Sequence, residues 1–263
     1  MTTMALAVRD STTMLRRQLR HMSRALPMML MLLAVPIILL LMFVYVLGNT
    51  LGDGLGGGSG GRGAYVNYVT PGILLITIAS AVQGTAISVA LDMTEGIIAR
   101  FRTMAIARVS VLTGHVLGSL LQTLFQLAAV LGVAVLVGFR PDATAIEWLA
   151  AAGVLTATTF ALVWLAVAMG LVTKTVAAAS NLPMPLLLLP LFGSGFVPTD
   201  SLPVGLRWFA EYQPFTPIME TLRGLLLGTP IGKSGVVALG WCAVVAMVGY
   251  GWAKWLYNRD RTR

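Results

Sequence analysis

Few side chains in this sequence could carry chemistry, and none of them forms a recognisable catalytic or metal-binding set. Only 11% of the 263 residues are charged, and the chain has two histidines, His21 and His115, and one cysteine, Cys242. One cysteine excludes an internal disulfide and a cysteine-based zinc site, and two distant histidines leave little for another metal site. We therefore expect no catalytic residue and no bound metal in this chain.

Two glycine-containing patterns imitate nucleotide-binding motifs without their context. Residues 231–234 read IGKS, like the end of a phosphate-binding P-loop, but Leu227 stands where that motif requires glycine. Gly52, Gly54 and Gly57 match the spacing G-x-G-x-x-G, but they lie in a glycine run outside any strand–helix unit. The sequence thus predicts no cofactor bound by this chain and no ATP hydrolysis by this chain alone.

The distribution of charge predicts an all-α integral membrane domain that covers residues 1–263. Hydrophobic residues make up 57% of the chain, and six stretches of 20 residues or more contain no Asp, Glu, Lys or Arg. About 20 helical residues cross a hydrocarbon core of about 30 Å. The alternative, buried helices of a large soluble protein, would need far more polar surface elsewhere. The six expected transmembrane helices are 27–47, 66–90, 109–137, 147–172, 181–197 and 235–256.

The asymmetry of basic residues predicts the orientation of these spans. With six spans, the segments on the side of the two termini carry 13 basic residues, whereas the opposite segments carry five. Because basic residues concentrate on the cytoplasmic side, both termini are expected in the cytoplasm, with the chain in a bacterial plasma membrane. The net charge of +8 is then a consequence of topology and does not indicate a nucleic-acid partner.

Residues 10–26 are predicted to form an amphipathic helix that lies in the membrane interface. Leu15, Leu19, Met22 and Leu26 fall on one helical face. The opposite face is basic and would meet lipid phosphates; it carries Arg16, Arg17, Arg20 and Arg24. The helix is either a membrane anchor alone or also a contact for a cytoplasmic partner.

Residues 92–106, between the second and third spans, are predicted to form a short cytoplasmic helix. Asp92 and Glu95 have the spacing of a variant capping box, which begins a helix. The residues that follow make an apolar arc flanked by arginines, suited to a groove on another protein; they include Gly96, Ile98, Arg100, Phe101 and Arg102. Alternatively, this helix merely lies on the bilayer.

Residues 198–234 are expected to form an external, re-entrant segment before the last span. Pro214 and Pro217 indicate a turn into a helix, and Glu220 and Arg223 are three residues apart on it, so that they can pair. Gly224 begins a glycine repeat at every fourth residue, a pattern that permits close helix packing. Irregular backbone at membrane depth must be buried in protein or line a cavity.

Small and polar residues in the second span suggest either helix packing or a translocation pathway. Packing is the simpler interpretation. A pathway lining would use Thr77, Ser80, Gly84 and Ser88 of the second span, with Asn181 and Ser194 of the fifth. In the third span, His115 is expected to be hydrogen-bonded within the protein, with a proton relay as the alternative.

These segments together resemble the ABC-2 family of ABC exporter permeases, and most of all the small permeases of the daunorubicin-resistance type. Glu95 and Gly96, followed by arginines, resemble the loop that holds the family's coupling helix. A departure is Gln213, where many members carry Asn. The residues that match the family's external signature before the last span are Pro214, Thr216, Glu220, Arg223 and Gly224.

The resemblance implies a membrane-spanning permease that moves a hydrophobic or amphipathic drug or lipid outward. It implies two copies of a separate cytoplasmic ATPase subunit, which would hold ATP and Mg, and a second permease chain, identical or paralogous. Spans two and five line the dimer pathway in that family. An ATP-independent carrier or channel is the alternative, and a non-transporting membrane scaffold is a third hypothesis.

Overall fold

The computed structural model describes residues 26–54, 61–94, 108–197, 199 and 202–258. Every regular element in these ranges is a helix, which confirms the all-α prediction for this part of the chain. The predicted interfacial helix lies outside the described residues except for Leu26, and so do residues 95–107 of the predicted cytoplasmic loop.

Five helical stretches among the described residues are long and apolar enough to cross a membrane. The first begins as α1 (Leu26–Met42), passes through a π-helical turn (Phe43–Leu47) and continues as α2 (Gly48–Gly54). The others are α3 (Gly61–Thr94), α4 (Arg108–Val137), α5 (Ala145–Val172) and, near the C-terminus, the last helix (Ser234–Asn258). Gly52 and Gly54 of the glycine run therefore lie in a helix.

The fifth predicted span, 181–197, is not one continuous helix. The structure instead has α6 (Val176–Asn181), α7 (Met184–Leu188) and a 3₁₀ turn (Leu189–Phe192). Proline has no amide hydrogen and clashes with the preceding turn, so the prolines at 183, 185 and 190 divide this stretch into short pieces. We call Val176–Phe192 the broken segment.

The broken segment and the residues just after it nevertheless run along about half of α3. Near its start, Gln83 Nε2 donates a hydrogen bond to the Ser180 carbonyl oxygen at 2.7 Å. Just beyond its end, Tyr65 Oη donates to the Phe196 carbonyl oxygen at 3.4 Å. These two α3 residues are about 27 Å apart along the helix axis at about 1.5 Å per residue.

Two further helices, joined at Gln213 and Pro214, lie between the broken segment and the last helix in the sequence. They are α8 (Val204–Tyr212) and α9 (Phe215–Leu227), and α10 is the last helix, Ser234–Asn258. Pro214 occupies the N-cap of α9, where a missing amide hydrogen costs nothing. At the other end Gly228 has φ of +69°, the left-handed conformation that commonly ends helices. We call this unit the α8–α9 hairpin.

The helices arrange around α3 and α5, which form the interior. In their most apolar windows 78% of α3 and 67% of α5 is buried, against 17%, 28% and 22% for the first, α4 and α10 stretches. Exposed Leu136 on α4 and Val236 and Met247 on α10 show the apolar outward faces of these helices. Such faces suit lipid, which does not penalise exposed hydrocarbon.

Two glycines set the closest helix contacts of α5. A Cβ added at Gly170 would lie 2.7 Å from the Ala86 carbonyl oxygen of α3. One added at Gly249 of α10 would lie 2.7 Å from the Leu165 amide nitrogen. Small residues at such crossings let helix backbones approach each other, which is how membrane helices gain packing energy.

Candidate functional site: the polar junction

Arg223 of α9 joins three elements near the end of the broken segment. Its Nη2 donates hydrogen bonds to the carbonyl oxygens of Ser194, at 2.7 Å, and Tyr68, at 3.4 Å. Its guanidinium carbon also lies 4.1 Å from the centre of the Tyr68 ring, within the range of a cation–π contact. Burial lowers the pKa of the Arg223 guanidinium, and the neighbouring Tyr68 and Glu220 oppose this shift.

Thr216, about two turns earlier on α9, binds the backbone of the same residue, Ser194, through its N–H group. Its Oγ1 accepts a hydrogen bond from the Ser194 backbone N–H at 3.4 Å and donates one to the Ala210 carbonyl oxygen of α8. Thr216 therefore ties the hairpin to the broken segment, and Arg223 ties both to α3. We call Tyr68, Ser194, Thr216 and Arg223 the polar junction.

Glu220 and Arg223 do not form the ion pair that their spacing allows. The Glu220 carboxylate accepts a hydrogen bond from Ser234 Oγ, at 2.9 Å, at the start of α10. Arg223 turns instead to the carbonyl groups of the junction. Each side chain binds a partner from another element. A side-chain pair at i,i+3 stabilises a helix by only about 0.2–0.5 kcal/mol, so these other partners can prevail.

Gly224 allows the tight turn between α9 and α10. A Cβ at this position would overlap the Ile231 side chain and lie 2.9 Å from the Thr229 carbonyl oxygen. The signature residues thus have separate structural roles. Pro214 begins α9 and Gly224 allows the turn after it, whereas Thr216, Glu220 and Arg223 bind neighbouring elements.

The polar stripe of the second span packs within the chain. Thr77 and Ser80 are buried, and their hydroxyl groups donate to the carbonyl oxygens of Ile73, at 2.8 Å, and Ile76, at 2.9 Å. A Cβ on Gly84 would lie 3.1 Å from a methyl group of Leu32 on α1. These contacts favour the packing interpretation inside one protomer.

The remaining candidates for a pathway lining are dispersed. Ser88 on α3 is half-buried, whereas Asn181 at the end of α6 is exposed. Ser194 is buried in the polar junction. A shared lining by these residues and the α3 stripe therefore stays a prediction about the assembled transporter.

A second polar contact lies at the opposite end of α3, and the sequence interpretation missed it. His115 Nε2 of α4 is 3.1 Å from Asp92 Oδ2, with the two side chains 6% and 16% exposed. Asp92 belongs to the last turn of α3, not to the first turn of a separate helix. The sequence feature that could have predicted this contact is an acidic residue near the end of α3 and a histidine near the start of α4, both in largely apolar helices.

The other predicted coupling residues, Glu95, Gly96, Ile98, Arg100, Phe101 and Arg102, lie outside the described residues. The same is true of the interfacial arginines Arg16, Arg17, Arg20 and Arg24. Their proposed contacts therefore stay predictions. Since α3 ends at Thr94 and α4 begins at Arg108, the Asp92–His115 contact joins the two helices that flank this loop.

Comparison with known proteins decides the family. Residues 10–227 match the family model described as ABC-2 type transporter. The chain belongs to the ABC-2 transporter family. The match reaches the last residue of α9 and so includes the whole polar junction and the predicted cytoplasmic coupling loop.

Curated relatives of this ABC-2 permease carry drug-resistance names. It is 27% identical over 216 residues to the daunorubicin resistance ABC transporter permease protein DrrB1 of Streptomyces coeruleorubidus, covering 80% of this chain and 74% of the relative. It is 25% identical over 224 residues to the probable doxorubicin resistance ABC transporter permease protein DrrC of Mycobacterium tuberculosis, covering 81% and 79%. The resemblance to small drug-resistance permeases is thus confirmed.

Proposed function

We propose that this chain is the membrane-spanning permease subunit of a bacterial ABC exporter, and that it moves a hydrophobic or amphipathic molecule outward. Energy comes from ATP hydrolysis on separate ATPase subunits. The observation that carries the proposal is the ABC-2 match over residues 10–227 in a chain with several long apolar helices. The names of its relatives point to amphipathic drugs as the first substrates to test, with lipids as the second class.

The broken segment is proposed as one more membrane crossing, the fifth in chain order, which brings the total to six. Its contacts with α3 extend over about 27 Å, close to the roughly 30 Å of a hydrocarbon core. Short helices and irregular backbone are tolerated at this depth when protein covers them, and α3 lies alongside. Six crossings return the C-terminus to the side of the N-terminus, in keeping with cytoplasmic placement of both basic termini in the plasma membrane.

Two ATPase subunits, which hold ATP and Mg, are proposed to act on residues 92–106 and on the interfacial helix 10–26. The Asp92–His115 contact supports this route because it couples α3 and α4 directly beneath the loop. A push on the loop then moves two long helices together. The functional unit is proposed to contain a second permease chain, identical or paralogous.

Reconstitution tests the proposal. The chain would be expressed with the ATPase encoded beside it, purified through a tag on the permease, and placed in proteoliposomes with doxorubicin as the probe. We expect the ATPase to co-purify and doxorubicin to accumulate only with hydrolysable ATP. A complex whose ATPase subunit has lost its hydrolytic glutamate is the matched control.

Other outcomes select the competing functions. Transport that persists without ATP, with no co-purifying ATPase, would replace the proposal by an ATP-independent carrier. An intact membrane protein that neither transports nor binds an ATPase would indicate a scaffold. Either result contradicts the exporter assignment.

A further inference from the structure

Unpaired buried polar atoms concentrate next to the polar junction. Six buried side-chain nitrogen or oxygen atoms of the described residues have no hydrogen-bond partner in the protein. Four of the six belong to three residues: Oγ of Ser194, both amide atoms of Gln213 and Nε of Arg223. The other two lie on α4, in His115 and Gln126.

These three residues surround one short piece of backbone, Gly193–Ser194. A Cβ added to Gly193 would lie 2.8 Å from Gln213 Nε2 and 3.0 Å from Thr216 Oγ1. Arg223 reaches the Ser194 carbonyl oxygen at 2.7 Å. Ser194 and Gln213 are each only 4% exposed. The unpaired atoms therefore belong to one compact cluster.

Such a cluster is costly for folding alone. A buried polar group without a partner costs about 1–3 kcal/mol, and most native proteins contain few of them. Leucine, which is apolar and somewhat shorter than glutamine, would avoid this penalty at position 213. This free-energy cost of folding would be offset if the polar groups formed hydrogen bonds to a ligand during function.

We propose that Ser194, Gln213 and Arg223 form a subsite for a neutral polar group, a hydroxyl or a carbonyl, of the amphipathic cargo. This inference rests on the proposed exporter function. Gln213 Nε2 and Arg223 Nε can donate to a carbonyl oxygen, Gln213 Oε1 can accept from a hydroxyl, and Ser194 Oγ can do either. A few polar groups in apolar surroundings are the usual means of orienting a largely apolar ligand.

The charges of the cluster favour a neutral group over an ion. Burial lowers the pKa of the Arg223 guanidinium, and the nearby Glu220 carboxylate and Tyr68, whose ring lies under the cation, oppose this shift. Because one cation and one carboxylate already lie here, an added ion would bring a charge with no counterpart. Gln213 joins α8 to α9, and the proposal requires these helices to move away from Ser194 for the cargo to enter.

The test compares Gln213→Leu with Gln126→Leu in the full-length chain purified in detergent. Gln126 on α4 is 2% exposed and also has an unpaired amide nitrogen, but it lies outside the cluster. Doxorubicin binding is measured by quenching of tryptophan fluorescence. We expect Gln213→Leu to raise the apparent Kd about tenfold, the loss typical of a buried hydrogen bond, and Gln126→Leu to leave it unchanged.

A stability measurement separates binding from folding. Cys242 is buried and is the chain's single cysteine, so its reaction with a thiol dye reports thermal unfolding. Gln213→Leu should unfold at the wild-type temperature or above, since it removes two unpaired atoms. If Gln213→Leu fails to fold, Ser194→Ala, which removes one hydroxyl, is expected to weaken binding severalfold and takes its place.

Equal doxorubicin affinity in wild type and Gln213→Leu, or no saturable binding by wild type, overturns the subsite. So does an equal loss in Gln126→Leu. A failure of the exporter assignment looks different, because doxorubicin then binds the wild-type chain but ATP drives no uptake into proteoliposomes.

Discussion

Arg223 of α9 donates a hydrogen bond to the carbonyl oxygen of Ser194 at 2.7 Å, across 29 residues of sequence. Ser194 follows the proline-broken segment, where the backbone has left helical geometry and its carbonyl groups need other donors. Arginine suits this position because its several donors reach two carbonyl groups at once. The contact holds the backbone just after the broken segment against both α3 and α9.

Replacing Arg223 by alanine should destabilise the folded chain by about 1–3 kcal/mol, because the Ser194 carbonyl group then loses its partner. Thermal unfolding in detergent, followed through Cys242, measures this. The control is Arg207→Ala on α8, whose partner Glu211 is 40% exposed; an exposed pair of this kind contributes about 0.2–1 kcal/mol. An Arg223→Ala variant as stable as Arg207→Ala would contradict the assigned role.

Gly249→Ala in α10 should loosen the packing of α10 on α5. The added Cβ would meet the Leu165 nitrogen at 2.7 Å and the Trp164 carbonyl carbon at 2.9 Å, and neither backbone atom can turn aside. Overpacking of this kind costs about 1–3 kcal/mol, measurable as a lowered midpoint of thermal unfolding.

Gly240→Ala is the matched control for this substitution. Gly240 lies on the same helix, and an added Cβ would meet no atom within 4 Å. Its midpoint should remain near wild type. Similar midpoints for the Gly240 and Gly249 variants would show that the α5–α10 contact is not tight.

Asp92 and His115 should be energetically coupled. A double-mutant cycle with Asp92→Asn and His115→Gln is expected to give an interaction energy of about 0.5–3 kcal/mol, as for other residues in direct contact. Unfolding of the two single variants and the double variant measures it. The exposed Arg207–Glu211 pair provides a reference cycle, and a smaller value for Asp92–His115 than for this pair would argue against a clamp between α3 and α4.

Glu95→Ala should reduce the amount of ATPase that co-purifies with the permease, or the stimulation of its ATPase activity, while membrane insertion stays normal. The expectation follows from the family resemblance of the loop after α3. Glu211→Ala, in the α8–α9 hairpin, is the control and should leave assembly unchanged. Wild-type assembly and stimulation in Glu95→Ala would remove Glu95 from the coupling contact.

The long apolar helices were predictable because a charge at the membrane centre is expensive. Counting charge-free windows located α3, α4, α5 and α10 to within about five residues at each end, since nothing in those windows competes with a helix. The fifth window does not contain one continuous helix, because the absence of charge indicates hydrophobicity and not helix continuity. Its three prolines indicate an interruption from the sequence alone, and in the structure they divide the stretch into short helical pieces.

Hydrogen-bond partners in the candidate site were much less predictable. Spacing on one helix suggested that Glu220 binds Arg223, yet the two side chains bind Ser234 and the Ser194 carbonyl group. Local spacing counts only neighbours on the same helix, and such exposed pairs are worth little. Partners from other elements cannot be read from a single helix.

The sequence by itself determined that this protein is helical and membrane-bound, and its motifs indicated the ABC-2 family, because hydrophobicity, charge and local motifs are properties of contiguous residues. Only the tertiary structure decided that α3 and α5 form the interior and that the broken segment follows α3. It also brought Ser194, Gln213 and Arg223 to one point, and Asp92 to His115. These contacts join residues far apart in the chain, and packing of whole helices, not local preference, selects them.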